Sequence, residues 1–278
     1  MNTELVAAFR SAIRGHDTEV DLFGGAMAIA ALRGGPIDML GLAREIDLIA
    51  EDVREQAGNT LDPEALAHAI DHELFVVRGF CGNSEAYDDP ENSYLDRVIE
   101  RRLGIPITLS LVYMEVAQRV GLRCDGVGYP GHFIVRCGEP EQPIYVDPFH
   151  QGARLDRGEL IAGLRAFNLG GASYSSFLTG ITRRQMLQRM LNNLHTVFRA
   201  SRDLSRWLMT IELLLCIEPW NAALVGERGM LHYRLGRPNN ALEDLERYVG
   251  AGDADSLTAG ARRLLRELRL QYGQEGTQ

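Results

Sequence analysis

Residues 104–121, GIPITLSLVYMEVAQRVG, constrain the fold of this chain more than any other stretch. Pro106 suits the first turn of a helix and Gly121 its end. Between them Ile107, Leu109, Leu111, Val112, Met114, Val116 and Val120 leave almost no polar face. A helix that is apolar nearly all round has to be covered from every side. Other elements must therefore wrap around it, and the residues that follow supply some of them. GVGY, HFIVR and PIYVD are short, rich in β-branched and aromatic residues, and separated by Gly and Pro. That pattern reads as a small antiparallel sheet.

The segments on either side read as helical. Across residues 36–55, Ile37, Leu40, Leu42, Ile46, Ile49 and Val53 fall near helical spacing, with acids and Arg44 on the other face. In LDPEALAHAIDHELF, Asp62 is the expected N-cap and Pro63 the first helical residue. Leu66, Ala69, Ile70 and Leu74 form its buried stripe. A loop rich in Gly, Asn, Asp and Pro follows, RGFCGNSEAYDDPENS. SYLDRVIERRLG then reads as a short helix with Ser93 as its cap. From residue 158 the chain is helical again, and five helices are expected between residues 182 and 271. Pro219 and Asp253 mark equivalent breaks 34 residues apart, the period of the tetratricopeptide repeat. GERGMLHYRLGRPNNALEDLERYV reads as one such unit, with Gly229, Tyr233, Leu235, Gly236, Ala241 and Leu245 at its packing positions.

Composition narrows the function. The chain has 278 residues, 45% hydrophobic and 24% charged, which suits one large globular domain or two modest ones. A net charge of −9, with no basic face and no DNA-reading motif, argues against nucleic acid as a partner. No apolar run approaches the roughly 20 residues a membrane span needs. The opening MNTELVAAFRSAIRGHDTEV is broken by Glu4, Arg10 and Arg14 and lacks the apolar core of a signal peptide, so a cytoplasmic location is expected. The four cysteines, Cys81, Cys124, Cys137 and Cys216, have no CxxC spacing and read as reduced thiols.

The chemistry concentrates in YPGHFIVRCGEPEQPIYVDPF, residues 129–149. If the two strands pair about a turn centred between Glu139 and Pro140, Ile134 faces Tyr145 and His132 faces Asp147. Directly opposed side chains share a face about 5 Å apart. Asp147 would then orient the imidazole, as an aspartate does in a catalytic triad. A hydroxyl nucleophile for such a base would come from Thr108 or Ser110 at the start of the buried helix. Cys81 in the Gly-rich loop is the thiol that could reach the pair; Cys124 and Cys137 read as structural. Asn83, Asn92, Pro106, Tyr129 and His150 are assigned to the walls of a binding cleft. His132, Asp147 and His150 lack a three-ligand spacing, so no metal and no cofactor are expected.

A buried helix, then GVGYPGHFIVR, then IYVDPF resembles the core of the transglutaminase-like superfamily, which belongs with the papain-like thiol enzymes. More specifically, NSYLDRVIERRLGIPITLSLVYMEVAQRVGL, PGHFIVR and YVDPFHQG resemble a bacterial Sir-B-type invasion-gene up-regulator family with a C-terminal tetratricopeptide-like region. The resemblance covers about residues 30–270 and is most specific over 92–152. It implies an α+β fold: a degenerate transglutaminase-like domain over residues 1–180, helical to 78 and core from 79, and all-α tetratricopeptide-like hairpins over 181–278. It also implies a cysteine at the start of the buried helix, near Pro106, activated by the helix N-terminus and by the residues matching His132 and Asp147. GIPITLS carries none. The expected function is therefore that of a non-catalytic regulatory scaffold. It would hold a peptide or protein partner in the cleft and in the groove of the repeats. The alternative is an amide hydrolase or acyl transferase with Thr108, Ser110 or a loop cysteine as nucleophile. The sequence leaves the oligomeric state open.

Overall fold

The computed structural model describes residues 2–167, 174–251 and 256–272. It is mostly helical with a small antiparallel sheet, and forms two compact units, Ala12–Asn193 and Met1–Ser11 with Leu194–Gln278.

In the first unit everything is arranged around one helix. We number the elements in chain order: α2 (Leu22–Ala30), α3 (Met39–Ala57), α4 (Pro63–Asp71), β1 (Cys81–Gly82), α5 (Leu95–Arg101), β2 (Leu103–Gly104) and α6 (Pro106–Val120). Then follow β3 (Cys124–Val127), β4 (Ile134–Cys137), β5 (Ile144–Asp147), β6 (Ala153–Leu155) and α7 (Arg157–Arg165). α6 starts at Pro106, ends on Gly121 in a left-handed turn, and buries Pro106 to Tyr113 without a break. Its neighbours are α3, α4, α5 and the strands β3 and β4. α4 begins as its sequence requires: Asp62 accepts from the Ala65 amide and Pro63 follows it. The stripe of α3 is buried at Leu42, Ile46, Ile49 and Val53, but Leu40 is exposed, because two residues before Leu42 the helix turns to its opposite face. α5 starts later than expected, after a 3₁₀ turn over Pro90–Ser93, so its cap position is Tyr94 and not Ser93.

The sheet runs in the order β3-β4-β5-β6, all antiparallel. Val127, Ile134 and Tyr145 on one face pack with Leu160 and Leu164 of α7. Val135 and Val146, paired with each other, are fully buried on the other. The expected register is two residues out: Tyr145 faces Arg136, not Ile134. Gly138, in a left-handed conformation, ends β4, and the turn centres one residue later than expected. A shift of two leaves every side chain on its expected face. Cys124 stands directly opposite Cys137, and the two form a disulfide. The expectation of four reduced thiols fails there, because strand register brings together residues that spacing alone does not. Cys81 and Cys216 are free.

The second unit comprises α1 (Asn2–Ala12) up to Ser11, the later part of α8 (Arg183–Ser201), and α9 (Leu204–Ile217), α10 (Ala222–Arg234), α11 (Pro238–Gly250) and α12 (Ser256–Tyr272). All five C-terminal helices of the sequence reading are present. Ala241, Leu245 and Tyr248 of α11 pack with Ala261, Leu264, Leu265 and Leu268 of α12. Gly226 of α10 lies against the Tyr248 ring, where a β-carbon would come within 2.8 Å of it. Tyr233, read as a packing residue, is 46% exposed. Asp253, read as the second repeat break, lies outside the described residues. The sequence reading divides the chain between residues 180 and 181, whereas the compact units divide after Asn193, inside α8. The reason is the first half of α8. Arg183 donates to the Val20 carbonyl, Asp17 accepts from the Arg183 and Arg184 amides, and Leu187 sits against Gly25.

Candidate functional site

His132 and Asp147 meet. Because of the two-residue shift they are diagonal neighbours and not directly opposed, a distance that a long side chain still spans. The His132 ring donates through Nε2 to Asp147 Oδ2 at 2.8 Å. That fixes Nδ1 as the acceptor nitrogen of the neutral ring. The same carboxylate oxygen takes the His150 Nδ1 at 2.8 Å. The other oxygen, Oδ1, accepts the amides of Phe149 and His150 at 3.0 and 3.3 Å. The short 3₁₀ turn Pro148–His150 supplies these amides. Asp147 is 4% exposed. Burial alone would raise its carboxyl, but the hydrogen bonds from His132 and His150 outweigh it and hold the group below the ordinary carboxylate range.

Sequence spacing did not suggest three metal donors at this point, yet the fold gathers them. One donor atom each from His132, Asp147 and His150 lies within 4.8 Å of the others. The two 2.8 Å contacts are hydrogen-bond lengths. Phe149 packs edge-on to His132 with ring centroids 6.1 Å apart, and Tyr87 packs edge-on to Phe149 at 6.1 Å. Gly82 allows this: a β-carbon there would lie 2.6 Å from the Phe149 ring.

Two cavities, each of about 230 Å³, open on His132. Pro106, Ile107, Tyr87, Arg189 and Asn193 help line the first. Tyr129, Asp147, Asp156 and Glu159 help line the second. The two differ in sign: an arginine and no carboxylate in the first, three carboxylates in the second. Size alone would select other cavities of about 480 and 450 Å³, but neither is lined by a histidine.

The helix start comes to His132, as the position of a thiol nucleophile requires, but it arrives as Pro106 and Ile107. Thr108 and Ser110 are fully buried and line neither cavity. The Thr108 hydroxyl caps the helix, accepting from the Ile105 amide at 3.1 Å and donating to the Asn92 carbonyl at 2.8 Å. Ser110 Oγ has no hydrogen-bond partner among the described residues and lies in the core. Cys81 is on β1, paired with Leu103, and lines neither cavity.

Of the other cleft residues, Pro106 lines the first cavity and Tyr129 the second. The Tyr129 phenol donates to the Leu160 carbonyl at 2.9 Å. Asn83 and Asn92 line neither; their amides serve the loop. Asn83 donates to Asn92 Oδ1 at 3.0 Å, and Asn92 donates to the Ala86 and Tyr87 carbonyls. They thereby hold the segment that carries Tyr87 to the cavity wall. His150 touches Asp147 but lines neither cavity. Sequence reasoning missed Arg189, Asn193, Tyr87 and Phe149. Only YVDPF, which places an aromatic two residues after Asp147, carried a signal for any of them.

Residues 42–192 match the transglutaminase-like superfamily and residues 194–269 a tetratricopeptide repeat. The chain belongs to the transglutaminase-like superfamily. It is similar to a UPF0162 protein of Xylella fastidiosa strain Temecula1, 38% identical over 186 residues, or 65% of this chain and 66% of that protein. A UPF0162 protein of Pseudomonas aeruginosa is 29% identical over 249 residues, 87% of this chain and 89% of that protein. F-box only protein 21 of Mus musculus is 32% identical over 180 residues, 60% of this chain but 28% of that longer protein. A crystal structure of menin, titled for its binding site for the Mixed Lineage Leukemia protein, aligns over 96% of this chain and 74% of that one. Its TM-score of 0.41 and 12% identity make that likeness too loose to extend to mechanism.

Proposed function

We propose that this protein is a catalytically silent, cytoplasmic regulatory scaffold. An extended peptide segment of a partner lies in the cleft at His132, and the tetratricopeptide-like helices offer a second protein-binding surface. One observation carries the reading. The helix start that faces His132 presents Pro106 and Ile107, and the first hydroxyls of that helix, Thr108 and Ser110, are sealed in the core. A general base without a nucleophile beside it can orient and hydrogen-bond a ligand but cannot form an acyl intermediate. The two cavities of opposite sign flanking His132 suit a chain that lies across it. Helical repeats bury one face and leave a groove on the other, which supports a second contact. The resemblance to the Sir-B-type up-regulator family supports a regulatory role, and no described helix is long and apolar enough to cross a membrane.

The test is selection of random linear peptides on the full chain, followed by mass spectrometry of the bound peptides. Enriched sequences should bind the wild type, lose binding to the His132→Ala, Asp147→Ala double variant, and be recovered unmodified. Peptides that bind the double variant equally well would remove the cleft from the function. A cleaved or acyl-transferred peptide would establish the amide hydrolase or acyl transferase instead.

A further inference from the structure

Arg33, Arg78, Arg119, Arg136 and Arg154 of the first unit each meet a carboxylate, whereas Arg183 and Arg184, on the same helix as Arg189, bond backbone carbonyls. Arg189 forms no ion pair among the described residues. Its Nη2 donates to the His132 carbonyl at 3.1 Å and more weakly to the Tyr129 carbonyl at 3.4 Å. Its guanidinium lies 5.4 Å from the centroid of the Phe133 ring. Burial lowers the guanidinium from its ordinary value, and the group that opposes this is the Tyr87 phenol. Arg189 is half-buried, and without an anion its partly desolvated charge is left for a ligand to meet.

It lines the cavity of about 230 Å³ in which no lining residue is acidic. Asn193, exposed on the same wall, adds a side-chain amide, and Tyr87 a phenol. The carbonyl contacts use one guanidinium nitrogen and leave other N–H donors for a ligand, in the fork geometry that suits a carboxylate. Asp156 and Glu159 line the other cavity at His132 and not this one.

We propose that the cavity between Arg189 and the start of α6 receives a carboxylate of the bound peptide, with the guanidinium of Arg189 as its counter-ion. This rests on the reading of the cleft as a peptide site. The carboxylate is either the free C-terminus of the partner or an acidic side chain within it, and the test separates the two.

Three probes would be titrated into the full-length protein, following the ring carbon-bound proton signals of His132. They are acetyl-trialanine with a free carboxylate, the same peptide as its carboxamide, and acetyl-Ala-Glu-Ala carboxamide. The free acid should bind about tenfold tighter than its carboxamide, the size of a charge-assisted hydrogen-bonded pair. The third probe matches the acid if a side chain suffices, and the carboxamide if a chain terminus is read. In Arg189→Gln the preference for carboxylate should vanish; in Arg189→Lys, which keeps the charge, part of it should remain. The wild-type comparison decides the matter even where a variant folds poorly. Equal saturable binding of acid and carboxamide would overturn the carboxylate assignment and leave the peptide cleft standing. No saturable binding of any probe would overturn both.

Discussion

Each unit buries an aspartate beside a histidine, and the two pairs have different surroundings. In the repeat unit, Asp244 is gripped through both oxygens by Arg228, at 2.6 and 2.8 Å, with His232 at 3.9 Å. Asp244 and His232 are both buried, and burial lowers the His232 imidazole from its ordinary value. In the transglutaminase-like unit, Asp147 is held by two imidazoles and two backbone amides, and His132 opens onto two cavities. The residue types are the same. What separates a structural pair from a site is whether an arginine closes the carboxylate and whether the histidine keeps a face to solvent. Asp147 meets no arginine and Arg189 no carboxylate among the described residues, although both line cavities that His132 also lines.

Breaking the closed pair should have the largest effect. Asp244→Ala leaves Arg228 without its partner inside the repeat unit and should cost about 3–5 kcal/mol in urea unfolding. Peptide binding at the cleft should survive under conditions where the protein remains folded.

A third, half-buried acid shows an arginine that does not suffice. Asp71 lies 2.6 Å from Arg154, yet burial raises its carboxyl to about 6 from 3.8. Folding therefore favours the protonated form. The contribution is present at low pH and lost as pH rises from about 4 to about 6, by at most roughly 3 kcal/mol. Asp71→Asn should remove that fall, which urea titrations at a series of pH values would detect as a flatter profile than the wild type's.

The open pair should be worth less. Asp147→Asn keeps an acceptor for the Phe149 and His150 amides but loses the charge the imidazoles meet, at about 1–3 kcal/mol. Because its carboxyl is held low, the wild-type advantage should be present at neutral pH and fade as pH falls through the carboxylate range. The smallest effect on stability belongs to Asn193→Trp. Asn193 is exposed, so the change should stay within about 0.5 kcal/mol. It should nevertheless fill the cavity and abolish binding of the selected peptides, which a binding isotherm on the folded variant would show.

Local chemistry in the sequence was enough to read α4 from Asp62 and Pro63, α6 from Pro106 and Gly121, and the helices beyond 182. The His132–Asp147 contact was read from an incorrect register and survives only because the error was even. β6 was missed because three residues behind a tight turn carry too little pattern to stand out. Arg189 was not legible at all. It sits on an ordinary amphipathic helix 57 residues after His132, and only the packing of α8 onto Gly25 and Gly128 brings it to the site. The hydroxyls of Thr108 and Ser110 were sensible nucleophile candidates by spacing. Their burial is a property of how completely α6 is enclosed, which one strand of sequence does not show.

If His132 has no nucleophile to serve, the two free thiols, Cys81 and Cys216, must be indifferent to it. Alkylation of Cys81 and Cys216 would be followed residue by residue against pH, in the wild type and in His132→Ala. Neither thiol should react faster than an ordinary cysteine below about pH 7, and the rates should be the same in the variant. A thiol that reacts rapidly below that pH, and slows when His132 is removed, would contradict this and establish a working thiol–imidazole pair.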